Sequence, residues 1–406
     1  MTVQIAQVQQ KGSHSGDMIP GGWRWVKLGE VCEIVMGQSP EGESYNVSGR
    51  GEPLLNGPTE FGEKSPTPVQ WTTSPTRFCA AGDILLCVRG ATTGRKNLAD
   101  RRYCIGRGLA AIRGKLDLAH TEFLWFALDL ATEQILKEAS GSTFPNIPGE
   151  KLEQVEIPLS PLAEQKRIAG ILKEQMAAVE RARRSAEGQL QAAEHLPPVY
   201  LRAVFDSDET QAWPKRKLGD VAVLERGKFT PRPRNDPRYF GGPYKWIQIG
   251  EVEAAEKYIL EHRGTLNELG LSVSKMFPKG TLVISIAASI GAVGILGFDS
   301  CMPDSLVGIT PRAGLGDSEY LYYWLSFARE HLESIAPQMA QANLKLGMLN
   351  PLELPIPPLA VQRRIAAQLS SQMASAERLR RTLAKQLDAI NTLPSALLRR
   401  AFSGEL

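Results

Sequence analysis

Two stretches of this chain carry apolar residues at alternating four- and three-residue intervals. In the first, Ile168, Leu172, Gln175, Val179, Ala182, Ala186, Gln189, Ala193 and Leu196 fall on one stripe. In the second, Ile365, Leu369, Gln372, Ala376, Leu379, Leu383, Gln386, Ile390 and Leu393 do the same. A period near 3.5 sustained over about four heptads predicts a long helix with one apolar seam, the pattern of a coiled coil. The seam residues are taken as Ile168, Leu172, Val179, Leu190, Ile365, Leu369, Leu379, Leu383 and Ile390. The Gln positions weaken such a seam and can fix its register. Ser160 and Pro161 suit the N-cap and N1 positions of the first helix, and Pro358 suits N1 of the second. Leu196-Pro197 and Leu393-Pro394 are expected to break or kink the helices. A helix of about 35 residues is roughly 50 Å long.

The segments before these helices have a different texture. Gly82 to Val88 and Gly280 to Ile286 are short apolar runs bounded by turn residues, and read as strands. Leu118 to Lys137 and Ser318 to Ser334 read as amphipathic helices. The remainder is dense in Gly and Pro, so these parts carry many loops.

The resemblance between the two halves is a true internal repeat. Pro161-Leu162-Ala163-Glu164-Gln165-Lys166-Arg167-Ile168-Ala169 recurs as Pro358-Leu359-Ala360-Val361-Gln362-Arg363-Arg364-Ile365-Ala366, an offset of 197 residues. The same offset relates Leu196-Pro197 through Phe205 to Leu393-Pro394 through Phe402, and Glu122-Phe123-Leu124 to Glu319-Tyr320-Leu321. Towards each start it drifts, with Lys27-Leu28-Gly29-Glu30 matching Lys217-Leu218-Gly219-Asp220 and Gly37 matching Gly227. Each half is therefore a variable front part and a constant helical back part. The divisions are a tail at 1–22, a variable domain at 23–158, a helix at 159–205, a polar linker at 206–212, a second variable domain at 213–355, and a second helix with the C-terminus at 356–406.

Composition narrows the class. The 406 residues are 43% hydrophobic and 22% charged, which excludes a disordered tail and a simple fibre. The net charge of +3 confines any nucleic-acid surface to local patches. Five cysteines without a CxxC pair argue against a zinc ribbon or a disulfide framework and fit a reducing compartment, so a cytoplasmic location is expected. No uncharged apolar run has the length needed to span a bilayer, so no membrane association is expected.

Catalytic signatures are missing. Pro197-Pro198-Val199-Tyr200 has the wrong order for an amino-methyltransferase motif, and neither a phosphate-binding Walker loop nor a GxGxxG dinucleotide unit occurs. Glu164-Gln165-Lys166 resembles part of a nuclease motif, but the second copy has Val361-Gln362-Arg363 there. No catalytic, cofactor-binding or metal-binding residue is assigned.

Basic clusters point instead to nucleic acid. The loop Arg89-Gly90-Ala91-Thr92-Thr93-Gly94-Arg95-Lys96 is small, polar and basic, and is followed by Arg101, Arg102 and Arg107. The second variable part opens with Lys215, Arg216, Lys217, Arg226, Lys228, Arg232, Arg234 and Arg238, interleaved with Phe229, Tyr239, Phe240 and Tyr244. Arg, Thr and Ser in such loops can reach phosphates and base edges. The two clusters are read as lying in corresponding regions of the repeat. The competing interpretation is solvated surface charge on a coiled-coil scaffold or assembly protein that reads no sequence.

With its doubled Pro-Leu-Ala-x-Gln-[Lys/Arg]-Arg-Ile-Ala motif and its closing Leu398-Arg399-Arg400-Ala401-Phe402-Ser403-Gly404-Glu405-Leu406, the chain resembles the specificity subunits of type I restriction-modification systems. Gly37-Gln38-Ser39-Pro40, Gly227-Lys228-Phe229-Thr230-Pro231 and Ser140-Gly141-Ser142-Thr143 are further family-like pieces. Ser160 stands where the family has proline, Val361 stands where it has Glu, and Met339 to Leu344 lacks a Ser-Gly-Ser-Thr loop. The resemblance implies an α+β fold: two globular target-recognition domains separated by two long antiparallel helices forming a coiled coil, with a pseudo-two-fold internal repeat. Each domain would read one half of an asymmetric bipartite site in double-stranded DNA. Expected DNA contacts are Arg89, Thr92, Thr93, Arg95, Lys96, Ser142, Thr143, Lys228, Arg232, Arg234, Arg238 and Tyr239. The helices would set the spacer and dock two copies of a methyltransferase (modification) subunit, through Glu164, Gln165, Arg167, Gln362 and Arg364. S-adenosylmethionine would belong to that partner, and a restriction (translocase) subunit would add ATP-dependent translocation and cleavage.

Overall fold

The computed structural model describes residues 19–63, 65–138, 145–335 and 344–406. By internal contacts the chain divides into two units, Met1–Ala186 with Gln386–Leu406, and Glu187–Lys385. Each long helix therefore starts in one unit and ends in the other.

The apolar runs form the central strand of a sheet in each unit. In the first, Ile84–Cys87 lies between Leu109–Gly114 and Lys96–Leu98, and Cys32–Met36 pairs on the far side of Leu109–Gly114, all antiparallel. In the second, Leu282–Ser285 lies between Leu306–Pro311 and Val293–Leu296, with Ala222–Arg226 beyond Leu306–Pro311. The order is the same, and a short parallel strand, Tyr258–Ile259, extends the second sheet. The central strands are buried along their whole length, which is why they read as continuous rather than alternating apolar runs.

A second sheet accompanies each. In the first unit it has five strands, Tyr45–Asn46, Gln70–Thr72, Glu52–Leu55, Tyr103–Ile105 and Phe78–Cys79. In the second it has four, Gly264–Leu266, Phe240–Trp246, Ser300–Cys301 and Met276–Phe277. The strands by which the chain enters and leaves each variable domain, or reader, also pair, Arg24–Lys27 with Glu156–Leu159 and Lys215–Lys217 with Glu353–Pro355. A reader is thus a closed loop of chain set immediately before its helix.

The amphipathic segments are each two helices, Thr121–Leu130 with Thr132–Glu138, and Ser318–Phe327 with Arg329–Ile335. Their apolar faces cover the main sheets: Phe123, Leu124 and Ala127 are buried in the first core, and Tyr320, Leu321 and Trp324 in the second.

The first long helix spans Leu162–Glu194, and a separate helix, Leu196–Phe205, follows the break at His195. The second runs Leu359–Phe402 without interruption, through Pro394. The expected break thus occurs at one site only. Pro197-Pro198 removes two consecutive N–H donors, whereas the single Pro394 removes one. The first helix starts one residue later than expected, because the Pro161 carbonyl accepts the Glu164 and Gln165 N–H groups and Pro161 itself occupies the cap. The Ser160 hydroxyl does not cap the helix.

Seam residues at the helix starts meet the readers. Ile168 and Leu172 are buried in the core of the first unit, and Ile365 and Leu369 in that of the second. An apolar stripe specifies that something covers it, not what does. Leu383 is buried, Val179, Leu190 and Ile390 are half-buried, and Leu379 departs from the expected seam at 45% exposure.

The far ends of the helices complete the same cores, crosswise to the repeat. Phe402 packs on Phe123 at 5.3 Å between ring centroids and on Trp23 at 6.0 Å. Its repeat counterpart Phe205 packs on Tyr320 at 5.7 Å and Phe327 at 5.4 Å. All five cysteines are free and buried, and burial pushes the Cys32 thiol up to about 12. They are small core residues.

Candidate nucleic-acid interface

Several loops converge at one end of the first reader's main sheet, the end where Met36, Ala110 and Leu86 stand abreast. The hairpin between Ile84–Cys87 and Lys96–Leu98 carries Arg89, Thr92, Thr93 and Arg95. Its shape is fixed from within. Gly90 and Gly94 take φ values of 88° and 92°, where a Cβ is disfavoured. The Gly94 N–H reaches the Cys87 carbonyl and the Cys87 N–H the Arg95 carbonyl, both at 2.8 Å. Thr93 Oγ1 donates to the Gly90 carbonyl at 2.7 Å, and Thr92 Oγ1 lies 3.5 Å from Cys87 Sγ. Both threonine hydroxyls therefore build the loop first.

The loop is also tied to its neighbours. Gly90 N–H bonds the Pro145 carbonyl, Val88 N–H bonds the Gly108 carbonyl, and Arg89 Nε donates to Asn146 Oδ1 at 3.1 Å. Arg107 follows on the adjacent loop, where its N–H meets Ser39 Oγ at 3.2 Å. Gly37 closes the group: a Cβ there would lie 2.1 Å from the Gly106 carbonyl oxygen, so only glycine allows this approach. Arg89, Arg95 and Arg107 are all exposed. Gln38 and Ser39 join the cluster only in three dimensions.

Lys96 belongs elsewhere. Its ammonium pairs with Asp129 at 2.8 Å, sits 4.4 Å from the Trp125 ring centroid, and its side chain is only 6% exposed. Burial lowers its pKa against the opposing pull of Asp129. It fastens the hairpin to the covering helix and is not presented to a ligand. Ser142 and Thr143 lie outside the described residues.

The same sheet end in the second reader carries different chemistry. Gly227 matches Gly37, with a Cβ placed 2.1 Å from the Pro303 carbonyl oxygen. The hairpin matching Arg89–Lys96 is Ile286–Val293, which contains no cation. The basic residues Lys228, Arg232 and Arg234 lie instead on the loop after Ala222–Arg226, the structural counterpart of Gln38–Ser39. The two basic clusters are therefore not in corresponding elements, contrary to the expectation that they lie in corresponding regions of the repeat. Both nonetheless reach the equivalent end of the sheet. Lys215–Lys217 stands apart, in the strand pair at the base of the reader.

Most of these cations have acidic partners. Arg234 pairs with Asp304 at 2.5 Å, Arg232 approaches the same carboxylate at 3.9 Å, and Arg238 pairs with Asp236 at 2.6 Å. The Arg238 guanidinium holds the Asp236 carboxyl below the usual range. Tyr239 packs edge-on against Phe229, at 5.9 Å, in a small cluster with Trp246 and Leu266, so its ring supports the loop from beneath. Lys228 is exposed and has no ion pair among the described residues.

Gln165 and Gln362 are also placed differently from expectation. Both are fully buried, so neither offers a docking surface. Gln165 Oε1 accepts the His120 N–H at 2.8 Å, and Nε2 donates to the Leu118 and Ser160 carbonyls at 3.0 and 2.8 Å. Gln362 does the same with the Asp317 N–H at 2.9 Å and the Leu315 and Pro357 carbonyls at 3.0 and 2.9 Å. Glu164 and Arg167 form a bidentate pair, and Arg167 also donates to the Leu406 carbonyl at 2.7 Å. Arg364 is exposed.

Among the described residues no group of His, Cys, Asp and Glu could hold a metal, and no helix is long and apolar enough to cross a membrane. Two related α+β readers, each presenting loops at the same sheet end with different polar contents, define a nucleic-acid recognition protein with two heads. Its sequence matches the model of the type I restriction modification DNA specificity domain at residues 20–187 and again at 210–388, and the chain belongs to that family. The family is named for DNA specificity, and its named relatives are specificity subunits.

Relatives agree at both levels. The putative type I restriction enzyme MjaX specificity subunit of Methanocaldococcus jannaschii is 41% identical over 165 residues, 40% of this chain. That match spans only 38% of the relative's own length. A chain from a structural study of complex assembly and conformational transition in the type I R-M system superposes with a TM-score of 0.77, at 24% identity, covering 96% of this chain and 99% of the other. The HsdS subunit from Thermoanaerobacter tengcongensis gives 0.67 at 23% identity, covering 97% and 99%. These two likenesses concern the fold.

Proposed function

We propose that this chain is the sequence-reading subunit of a type I restriction-modification complex, with each reader recognising one half of an asymmetric bipartite site in double-stranded DNA. The observation that carries this is the placement of unlike loops on like scaffolds. Arg89, Arg95 and Arg107 crown the first sheet, while Lys228, Arg232 and Arg234 crown the equivalent end of the second. Similar scaffolds present their loops at the same sheet end, and different loops make the half-sites differ. Cationic and hydroxyl side chains on glycine-shaped loops suit phosphate contact and base-edge readout.

In this reading the long helices pair antiparallel as a coiled coil and hold the readers apart. A helix of 33 residues is about 50 Å long, enough to separate two heads by one DNA turn of roughly 34–36 Å. The constant helices, present twice, dock two copies of a methyltransferase subunit, with Glu164, Arg167 and Arg364 on the accessible faces. That partner binds S-adenosylmethionine and flips the target base. A restriction subunit adds translocation and cleavage, and the complex works in the cytoplasm.

The test is exchange of residues 213–352 for another such domain, co-expression with the methyltransferase subunit, and methylome sequencing. One half of the methylated site changes and the other is retained. Alteration of both halves, or methylation independent of this chain, refutes the reading.

A further inference from the structure

Besides the apolar packing at the helix starts, each reader is tied to its own helix by two polar fastenings that are repeated in the two units. The inner one is the buried glutamine. Gln165 makes three hydrogen bonds to the reader and the turn before its helix, and Gln362 makes the same three in the other unit. Both side chains are fully buried. Each holds the backbone N–H at the start of the helix that covers its reader's sheet, His120 before Thr121–Leu130 and Asp317 before Ser318–Phe327.

The outer fastening is charged. In the first unit Glu180 accepts from Arg183 and Arg184, and Arg184 reaches out to Glu63 on the reader. In the second, Glu377 accepts from Arg380 and Arg381, and Arg381 reaches Glu256 at 2.7 Å. The outer arginine lies nineteen residues beyond the glutamine in both helices, 165 to 184 and 362 to 381. At 1.5 Å per residue the two anchors are about 28 Å apart. A body held at one point can pivot, but one held at two points along a rod has its angle to that rod fixed. Neither fastening touches the loops that crown the sheets.

We infer that Gln165 and Gln362, with Arg184 and Arg381, are positioning residues that fix the angle of each reader on its helix and so determine which spacer lengths between half-sites are accepted. The inference rests on the proposed reading of two half-sites across a helical spacer. It assigns half-site sequence to the loops and spacer tolerance to the fastenings. The inner glutamine bonds are shielded from water and insensitive to salt, whereas the exposed outer pairs weaken as ionic strength rises.

The experiment uses the complete complex of this chain with its methyltransferase subunits and a DNA library in which the two half-sites are held constant and the spacer is varied by one and two base pairs. Gln165→Met and Gln362→Met remove the polar clamp at similar volume, and Arg184→Ala and Arg381→Ala remove the outer tie without disturbing a core. The methionine variants are expected to lose about five- to tenfold in discrimination between the native and the adjacent spacer, and the arginine variants about two- to fivefold, with half-site preference unchanged. A variant that lowers thermal stability or yield but leaves the spacer profile intact shows a merely structural role and overturns the inference. Should a methionine variant fail to fold, the arginine variants decide alone, and an unchanged profile in both of them overturns it. If the unmodified complex methylates no bipartite site, it is the proposed function that fails.

Discussion

The carboxamide of Gln165 holds the backbone N–H of His120 at 2.8 Å while its amide end donates to the carbonyls of Leu118 and Ser160. A helix residue thereby satisfies three backbone groups that belong to the junction of reader and helix. Buried donors and acceptors left without partners are expensive, so the side chain is worth more to the junction than its size suggests. Replacement by alanine is expected to cost about 1–3 kcal/mol, read as a lowered urea midpoint for unfolding of the first unit. The same change at Gln362 should fall on the second unit alone. An unaltered midpoint would show that water replaces the amide.

Phe402 and Phe205 tie the ends of the chain's helices into the cores. Phe205 is 1% exposed and Phe402 5%. Truncating such a side chain to alanine leaves a cavity and costs about 3–5 kcal/mol. Hydrogen exchange should show Phe402→Ala loosening Thr121–Leu130, which Phe123 belongs to, and Phe205→Ala loosening Ser318–Phe327 instead. The opposite assignment would contradict the crosswise packing.

DNA binding should separate the cations by their surroundings. Alanine at Arg89, Arg95 or Arg107 is expected to reduce the slope of log affinity against log salt by about one for each phosphate that is no longer neutralised. Lys96→Met should leave the slope unchanged and lower stability, because Lys96 is engaged with Asp129. Fluorescence anisotropy across a salt series distinguishes these outcomes.

Asp304 is expected to restrain the second reader. It pairs with Arg234 and lies 3.9 Å from Arg232. Asp304→Asn releases both guanidinium groups, so binding to DNA of any sequence should tighten and its salt dependence steepen. If affinity falls instead, the carboxylate is organising the loop for DNA.

The Glu-Arg-Arg triads within the two long helices should weaken in acid. Hydrogen bonds from Arg183 and Arg184 lower the Glu180 carboxyl from 4.5 to about 2, and Arg380 and Arg381 do the same for Glu377. A depressed carboxyl stabilises the fold above its unfolded value, and that contribution is lost as pH falls through the folded value. Thermal melts should therefore show this loss between pH 4.5 and about 2 and none at neutral pH. Combining Glu180→Gln with Glu377→Gln should flatten the profile in that window.

Much of the architecture is legible in the chain itself. The offset of 197 residues announces two copies, and the apolar runs at Gly82 to Val88 and Gly280 to Ile286 mark the central strands of both sheets. The doubled helix-start motif points to the family. Even the Glu-Arg-Arg triads at 180, 183 and 184 and at 377, 380 and 381 repeat at helical spacing and could have been found. The site was less legible. Lys96 and Arg95 are neighbours in the same basic run, yet one is buried on Trp125 and the other exposed. Charge along a sequence does not say which side of a strand a residue takes or which carboxylate awaits it.

The sequence by itself determined the repeat, the periodicity of the long helices, one central strand of each main sheet and the absence of familiar catalytic motifs, because these depend on residues close together in the chain. Only the tertiary structure decided what the apolar stripes meet and which polar groups are used up. Ile168 and Ile365 face their readers, Phe402 serves the first reader and Phe205 the second, and the two glutamines serve as buried clamps. Those outcomes depend on segments brought together from more than a hundred residues apart in some cases, as with Trp23 and Phe402. A pattern of spacing fixes the face a residue occupies, but its partner is chosen by packing, where shape and the need to satisfy every buried polar group act together.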